Sequence, residues 1–74
     1  MTAIQVRSGL RLQEVVEILE RQVSPRSYWL HNAIGNADWS LILDNGGGIR
    51  GSGFPMTVEV QDPALATLVS LLVS

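Results

Sequence analysis

The amino-acid sequence predicts an α+β fold, a small and mostly antiparallel sheet of three to four strands with two helices packed on one face. Segments with a two-residue apolar period alternate with two segments of helical period, in the order β-α-β-β-β-α. Gly35-Asn36 offers a tight turn inside the central segment. The length of 74 residues allows one domain, residues 1–74.

The first third of the chain predicts an edge strand followed by a helix. Residues 2–7 alternate, with Ile4 and Val6 on one side, and Ser8-Gly9 ends the strand. Residues 10–23 predict a helix that ends at Ser24-Pro25, because the residue before proline avoids the α region. The apolar stripe of this helix comprises Leu12, Val15, Val16, Leu19 and Val23.

Residues 27–43 contain both tryptophans, the only tyrosine and the only histidine. They predict a β-hairpin, because Gly35-Asn36 suits a two-residue primed turn. One face of this hairpin is then almost wholly apolar and the other is mixed, which favours the register. The apolar face holds the pairs Ile34 with Ala37, Asn32 with Trp39, Leu30 with Leu41, and Tyr28 with Leu43. The mixed face places Trp29, His31 and Ala33 opposite Ile42, Ser40 and Asp38.

The last third of the chain predicts a strand and a second helix. Residues 56–61 alternate strictly, and Asp62-Pro63 supplies an N-cap and a first-turn proline. The stripe Leu65, Leu68, Val69 and Leu72 is predicted to pack on the sheet, widened by Ala64, Leu71 and Val73. No charged residue follows Asp62, so a membrane-surface helix is disfavoured and a dimer interface is expected. The predicted oligomer interface is Leu65, Leu68, Leu71 and Leu72.

The composition narrows the possible functions. The net charge is −2 and the five arginines are scattered, which argues against nucleic-acid binding. The chain has no cysteine and one histidine, so we predict no disulfide, no metal site and no cofactor. The N-terminus lacks the pattern of a signal peptide, and no apolar stretch is long enough to cross a bilayer. We therefore expect a cytoplasmic protein without membrane contact.

A glycine-rich stretch between the last two predicted strands invites a ligand-binding interpretation. Backbone N–H groups of Gly46, Gly47 and Gly48 are suited to hold an anion, with Arg50 adding charge. Phosphate-binding loops of known type lead directly into a helix, whereas a strand pattern follows here. A hairpin connection is therefore the favoured interpretation, and a ligand loop the alternative.

His31 is the second candidate for chemistry. In the predicted register it lies across from Ser40, with Asp38 as a diagonal neighbour on the same face. A nucleophilic triad also needs an oriented base, an oxyanion hole and a cleft that excludes water. A flat hairpin face supplies none of these within one subunit, so we predict no catalytic residue and a structural or interface role for His31.

The mixed hairpin face is the predicted partner-binding surface, formed by Trp29, His31, Ser40 and Ile42. An aromatic ring beside an isoleucine on a polar sheet face is typical of interaction sites; the alternative is that a second subunit or another element covers Trp29. The sequence thus predicts a non-catalytic, dimeric protein-interaction module, an adaptor or regulator that binds a partner protein. The alternative is a small-ligand-binding protein or minimal enzyme whose pocket forms between subunits near the glycine-rich stretch.

Overall fold

The computed structural model describes residues 2–43 and 56–74, which form two helices and a five-stranded sheet. The strands follow the spatial order β1-β5-β4-β3-β2, and all neighbours are antiparallel. The elements are β1 (Thr2–Gln5), α1 (Leu12–Gln22), β2 (Tyr28–Trp29), β3 (Ala33–Gly35), β4 (Trp39–Leu43), β5 (Met56–Val60) and α2 (Pro63–Val73). The predicted α+β class is confirmed, whereas the predicted count of three to four strands is wrong.

The additional strand arises because the predicted hairpin folds as two successive reversals. The chain first turns between β2 and β3, where the Leu30 N–H donates to the Ala33 carbonyl at 2.7 Å. It turns again after Asn36, whose N–H donates to the Trp39 carbonyl at 2.9 Å. One long predicted strand is therefore two short ones.

The second reversal lies two residues later than predicted, so the register of the hairpin is wrong in the prediction. Ile34 pairs with Leu41, and Gly35 pairs with Ser40. The predicted pairing of Leu30 with Leu41 does not occur, and Leu30 is 57% exposed. The Asn36 side chain explains the shift, because its Oδ1 accepts the backbone N–H of Asp38 at 2.7 Å and so closes a turn that starts at Asn36.

In this register, Tyr28 and Trp29 lie on the sides of the sheet opposite to those predicted. Residues paired across antiparallel strands project from the same side of a sheet. Trp29 pairs with the buried Ile34 and therefore lies on the core side, whereas Tyr28 pairs with Gly35 and lies on the opposite side. The sequence pattern predicts Tyr28 on the apolar face and Trp29 on the mixed face, and both predictions are wrong.

The core lies on one side of the sheet. Strands β4 and β5 alternate strictly between buried and half-buried residues, and Trp39, predicted as core, is 1% exposed. The buried residues of both helices join this side in one cluster. The members from the sheet are Ile4, Ile34, Trp39, Leu41, Leu43, Met56, Val58 and Val60. The other side of the sheet, which carries Tyr28, Ser40, Ile42, Thr57 and Glu59, is called the outer face below.

Helix α1 buries four of the five residues of the predicted stripe, Leu12, Val15, Val16 and Leu19, whereas Val23 follows the helix and packs half-buried against the core. Helix α2 begins as predicted, because Asp62 Oδ1 accepts the N–H of Ala64 at 2.8 Å. Its core-facing residues are Ala66, Val69 and Val73, while Leu68 and Leu72 are exposed. The predicted stripe of α2 is therefore rotated. So many residues of α2 are apolar that several orientations satisfy the pattern, and packing against β1, β5 and α1 selects one.

The chain after β1 holds the C-terminal end of α2. The Arg7 backbone N–H donates to the Val73 carbonyl at 2.8 Å, and its Nη1 donates to the Leu72 carbonyl at 3.4 Å. These carbonyls have no partner within the helix, and a cation is favourable at this end of the helix dipole. Within the described residues, no helix has the length and apolarity needed to cross a membrane.

We expect Gly35→Ala to destabilise the protein by about 2 kcal/mol or more, because overpacking against rigid backbone costs energy. A Cβ at Gly35 would overlap the Trp39 carbonyl oxygen and lie 2.9 Å from Ser40 Cα. The free energy of unfolding, measured by urea titration, tests this. The matched control is Gly9→Ala, whose Cβ would meet nothing within 4 Å. We expect this variant to leave the free energy of unfolding unchanged or to raise it by up to about 1 kcal/mol. Equal stabilities of the two variants would contradict the close contact.

Candidate functional site

The most extensive polar network among the described residues surrounds Asn36. Its side-chain Nδ2 donates to Ser24 Oγ at 2.8 Å and to the Pro25 carbonyl at 2.7 Å. Its Oδ1 accepts the backbone N–H groups of Asp38 at 2.7 Å and Trp39 at 3.1 Å. Both donors and both acceptor positions of the amide are therefore used. The network joins the turn before β4 to the segment that follows α1.

Two further bonds extend this network, and the first connects it to a core residue. The Trp39 indole Nε1 donates to the Ser24 carbonyl at 2.8 Å, which satisfies the one polar atom of a buried ring. Ser24 Oγ donates to Asp38 Oδ2 at 3.1 Å. Asp38 is thus engaged in the turn, and we interpret the whole network as structural. Asparagine at the start of a turn is the one sequence feature that indicates it.

The structure does not bring the four predicted partner-binding residues together. Ser40 and Ile42 lie half-buried on the outer face, where the Tyr28 hydroxyl donates to Ser40 Oγ at 3.3 Å. Gly35 lies between Tyr28 and Ser40 in the sheet, because it pairs with Tyr28 on one side and with Ser40 on the other. Trp29 projects from the other side, so the predicted contact between Trp29 and Ile42 is absent.

Trp29, Leu30 and His31 instead form an exposed group at the reversal between β2 and β3, called the hairpin patch below. Trp29 is 44% exposed, and His31 is also exposed. The Arg26 guanidinium carbon lies 4.8 Å from the centroid of the Trp29 ring, a cation–π arrangement. Arg26 Nη1 also forms an ion pair with Glu20 Oε2 at 3.0 Å. The tryptophan is therefore held by Arg26, with part of its ring open to solvent.

His31 does not approach Ser40 in the way the predicted register required. Gly35 and Glu59 flank Ser40 in the sheet, and His31 lies in the reversal that precedes Ala33. Asp38 is engaged with Ser24. The serine, histidine and aspartate therefore do not form a triad. Across residues 2–43 and 56–74, no cluster of three or more His, Cys, Asp or Glu side chains is placed to bind a metal ion.

The predicted ligand loop, Gly46, Gly47, Gly48 and Arg50, lies outside the described residues. The placement of the predicted oligomer interface, by contrast, is described in full. Leu65 is half-buried against the core. Leu68, Leu71 and Leu72 are 38%, 77% and 37% exposed, and they form what we call the helix patch.

Two residues at this site, Leu30 in the hairpin patch and Arg26 beside it, are not predicted by the sequence pattern. Leu30 was assigned to the core because it fits the two-residue period of a continuous strand. Arg26, which stacks on Trp29, gave no periodic signal because it lies in the segment between α1 and β2. Its position three residues before a tryptophan was the only available indication.

Comparison of the chain with protein-family models, with curated proteins and with solved structures found no match.

We expect Asn36→Asp to lower the free energy of unfolding by about 1–3 kcal/mol, because Ser24 Oγ and the Pro25 carbonyl lose their donor. Thermal and urea unfolding followed by tryptophan fluorescence measure the loss. The control is Asn32→Asp, at an exposed position in the reversal between β2 and β3. We expect it to change the free energy of unfolding by no more than about 0.5 kcal/mol. If the Asn36 variant is as stable as the Asn32 variant, the network is not a structural anchor.

Proposed function

We propose that this protein is a non-catalytic interaction module that forms a homo-oligomer and binds a partner protein. The observation that carries the proposal is the outer surface of α2, where Leu71 is 77% exposed on a helix with no charged residue. Contiguous apolar surface of this kind is rare on monomeric proteins and marks interaction sites. The cytoplasmic location expected from the sequence stays a prediction.

The two helices differ in a way that supports self-association through α2. The exposed side of α1 carries Glu14, Glu17 and Arg21, as expected for a helix that faces solvent. The exposed side of α2 carries the helix patch instead. A 74-residue chain without disulfides has little core, and burying these leucines between copies would add to its stability.

The hairpin patch supports the binding of a different protein. Tryptophan is enriched among the residues that dominate binding energy, and Arg26 holds the Trp29 ring in place before a partner arrives. A side chain that is already ordered loses less conformational entropy on binding. We therefore transfer the proposed partner-binding site from the mixed hairpin face to Trp29, Leu30 and His31.

For self-association, we expect Leu71→Glu to raise the dissociation constant of the oligomer at least about tenfold, because the substitution removes apolar burial and introduces a charge. The side chain is largely exposed, so the subunit fold is expected to persist. Sedimentation velocity over a concentration series measures the constant. The matched control is Leu30→Glu, which makes the same change at a residue 57% exposed in the hairpin patch. A wild-type protein that stays monomeric at high concentration would refute self-association.

For partner binding, we expect Leu30→Glu and Trp29→Ala to abolish capture of a partner protein from nuclease-treated lysate of the source organism. Leu71→Glu serves as the control that keeps the hairpin patch intact and is expected to retain the partner. Circular dichroism confirms the fold of each variant before the comparison. Capture that is equal for all three variants would contradict a role for the hairpin patch.

A further inference from the structure

Among the described residues, strand β1 forms one edge of the sheet, and the backbone groups that do not face β5 can be identified from the register. The Val6 N–H donates to the Met56 carbonyl at 3.2 Å, and Ile4 pairs with Val58. Backbone direction alternates along an antiparallel strand, so the N–H and C=O groups of residues 2, 4 and 6 point towards β5. Those of Ala3 and Gln5 point away from β5, towards the open edge.

Within residues 2–5, this edge lacks two common forms of protection against pairing with another strand. Edges are commonly guarded by charged side chains or proline, and β1 (Thr2–Gln5) contains neither. A groove of about 380 Å³ runs beside it, between β1 and α2. Its lining includes Ala3, Ile4, Thr67 and Leu71, so the most exposed leucine of the helix patch borders the open edge.

We infer that the occupant of this edge is β1 of a second copy, which joins the two sheets into one continuous antiparallel sheet of ten strands. The inference rests on the proposed self-association and specifies its geometry. In a two-fold arrangement, Ile4 lies opposite Ile4 of the second copy, and Ala3 lies opposite Gln5. Ala3 and Gln5 each present one outward N–H and one outward C=O, so these groups form two reciprocal pairs of hydrogen bonds.

The position of α2 agrees with this arrangement. A two-fold axis perpendicular to the sheet keeps the helices of both copies on the same side of the joined sheet. Each α2 lies next to its own β1, with which it makes direct contacts, so the two helices flank the junction. Leu71 borders the groove on each copy and is placed to become buried beside the joined strands.

The lack of charge along β1 and α2 is compatible with pairing to a second copy. Residues next to a two-fold axis lie close to their own equivalents, so charged side chains at that position would bring like charges together. Neither β1 nor α2 contains a charged residue, so no like charges meet along these two elements. The outer side of α1, by contrast, carries charged side chains that would meet their equivalents across such an axis.

Proline at position 3 tests the inference, because it removes only an N–H that points away from β5 and is tolerated on an edge strand. We expect Ala3→Pro to raise the dimer dissociation constant at least about tenfold. The substitution is present in both copies, so the dimer loses two hydrogen bonds. The control Ala3→Ser keeps the N–H and is expected to dimerise as the wild type does. Sedimentation velocity measures the constant, and urea unfolding confirms that both variants are folded.

Hydrogen exchange followed by NMR gives a second measurement on the unaltered protein. We expect the amides of Ala3 and Gln5 to exchange more slowly as the protein concentration rises, while the exposed amide of Gly9 stays unchanged. Two outcomes overturn the inference. One is a dimer that persists in Ala3→Pro but dissociates in Leu71→Glu, which leaves the proposed function intact and places the interface on α2 alone. The other is exchange at Ala3 and Gln5 that is independent of concentration, in which case the edge is open or accepts a strand of another protein.

Discussion

The arrangement of the strands depends on the close contact between the backbone of Gly35 and the backbone of Trp39 and Ser40. No side chain fits between these segments, so they approach more closely than any other residue type would permit. The neighbouring Asn36 turns the chain with its own amide and holds the segment after α1. Trp39, at the far end of the same turn, is buried and bound to Ser24. The register of β3 on β4, the end of α1 and the core are therefore determined at one place.

That constraint also decides where the surface is free to interact. With the register established, Ile34 and Leu41 enter the core, and Tyr28 pairs with Gly35 and lies on the outer face. Leu30 is left in a reversal next to Trp29, and it is 57% exposed. The hairpin patch is thus a consequence of how the core packs, and Arg26 stacks on its tryptophan.

The two proposed surfaces lie at opposite edges of the sheet, because β1 and β2 are its terminal strands. Pairing through β1 would therefore leave both hairpin patches at the distant ends of the joined sheet. Self-association and partner binding would then not compete for the same residues. A dimer that presents two copies of one patch gains avidity for a partner with two matching sites.

Local patterns in the sequence were sufficient to predict the elements that can pair or pack in only one way. The stripe Leu12 to Leu19 predicts α1, Asp62-Pro63 predicts the start of α2, and the alternation after Pro55 predicts β5. The alternation of apolar and polar residues could not show which side of the sheet residues 27–35 face. One long hairpin around Gly35-Asn36, and two short reversals at His31-Asn32 and after Asn36, both fit that alternation. Likewise, α2 is apolar around so much of its circumference that sequence alone could not identify its buried side. Only the contacts of Asn36 with Ser24, and of α2 with β1 and β5, select one arrangement, because hydrogen-bond satisfaction and close packing are properties of the folded chain.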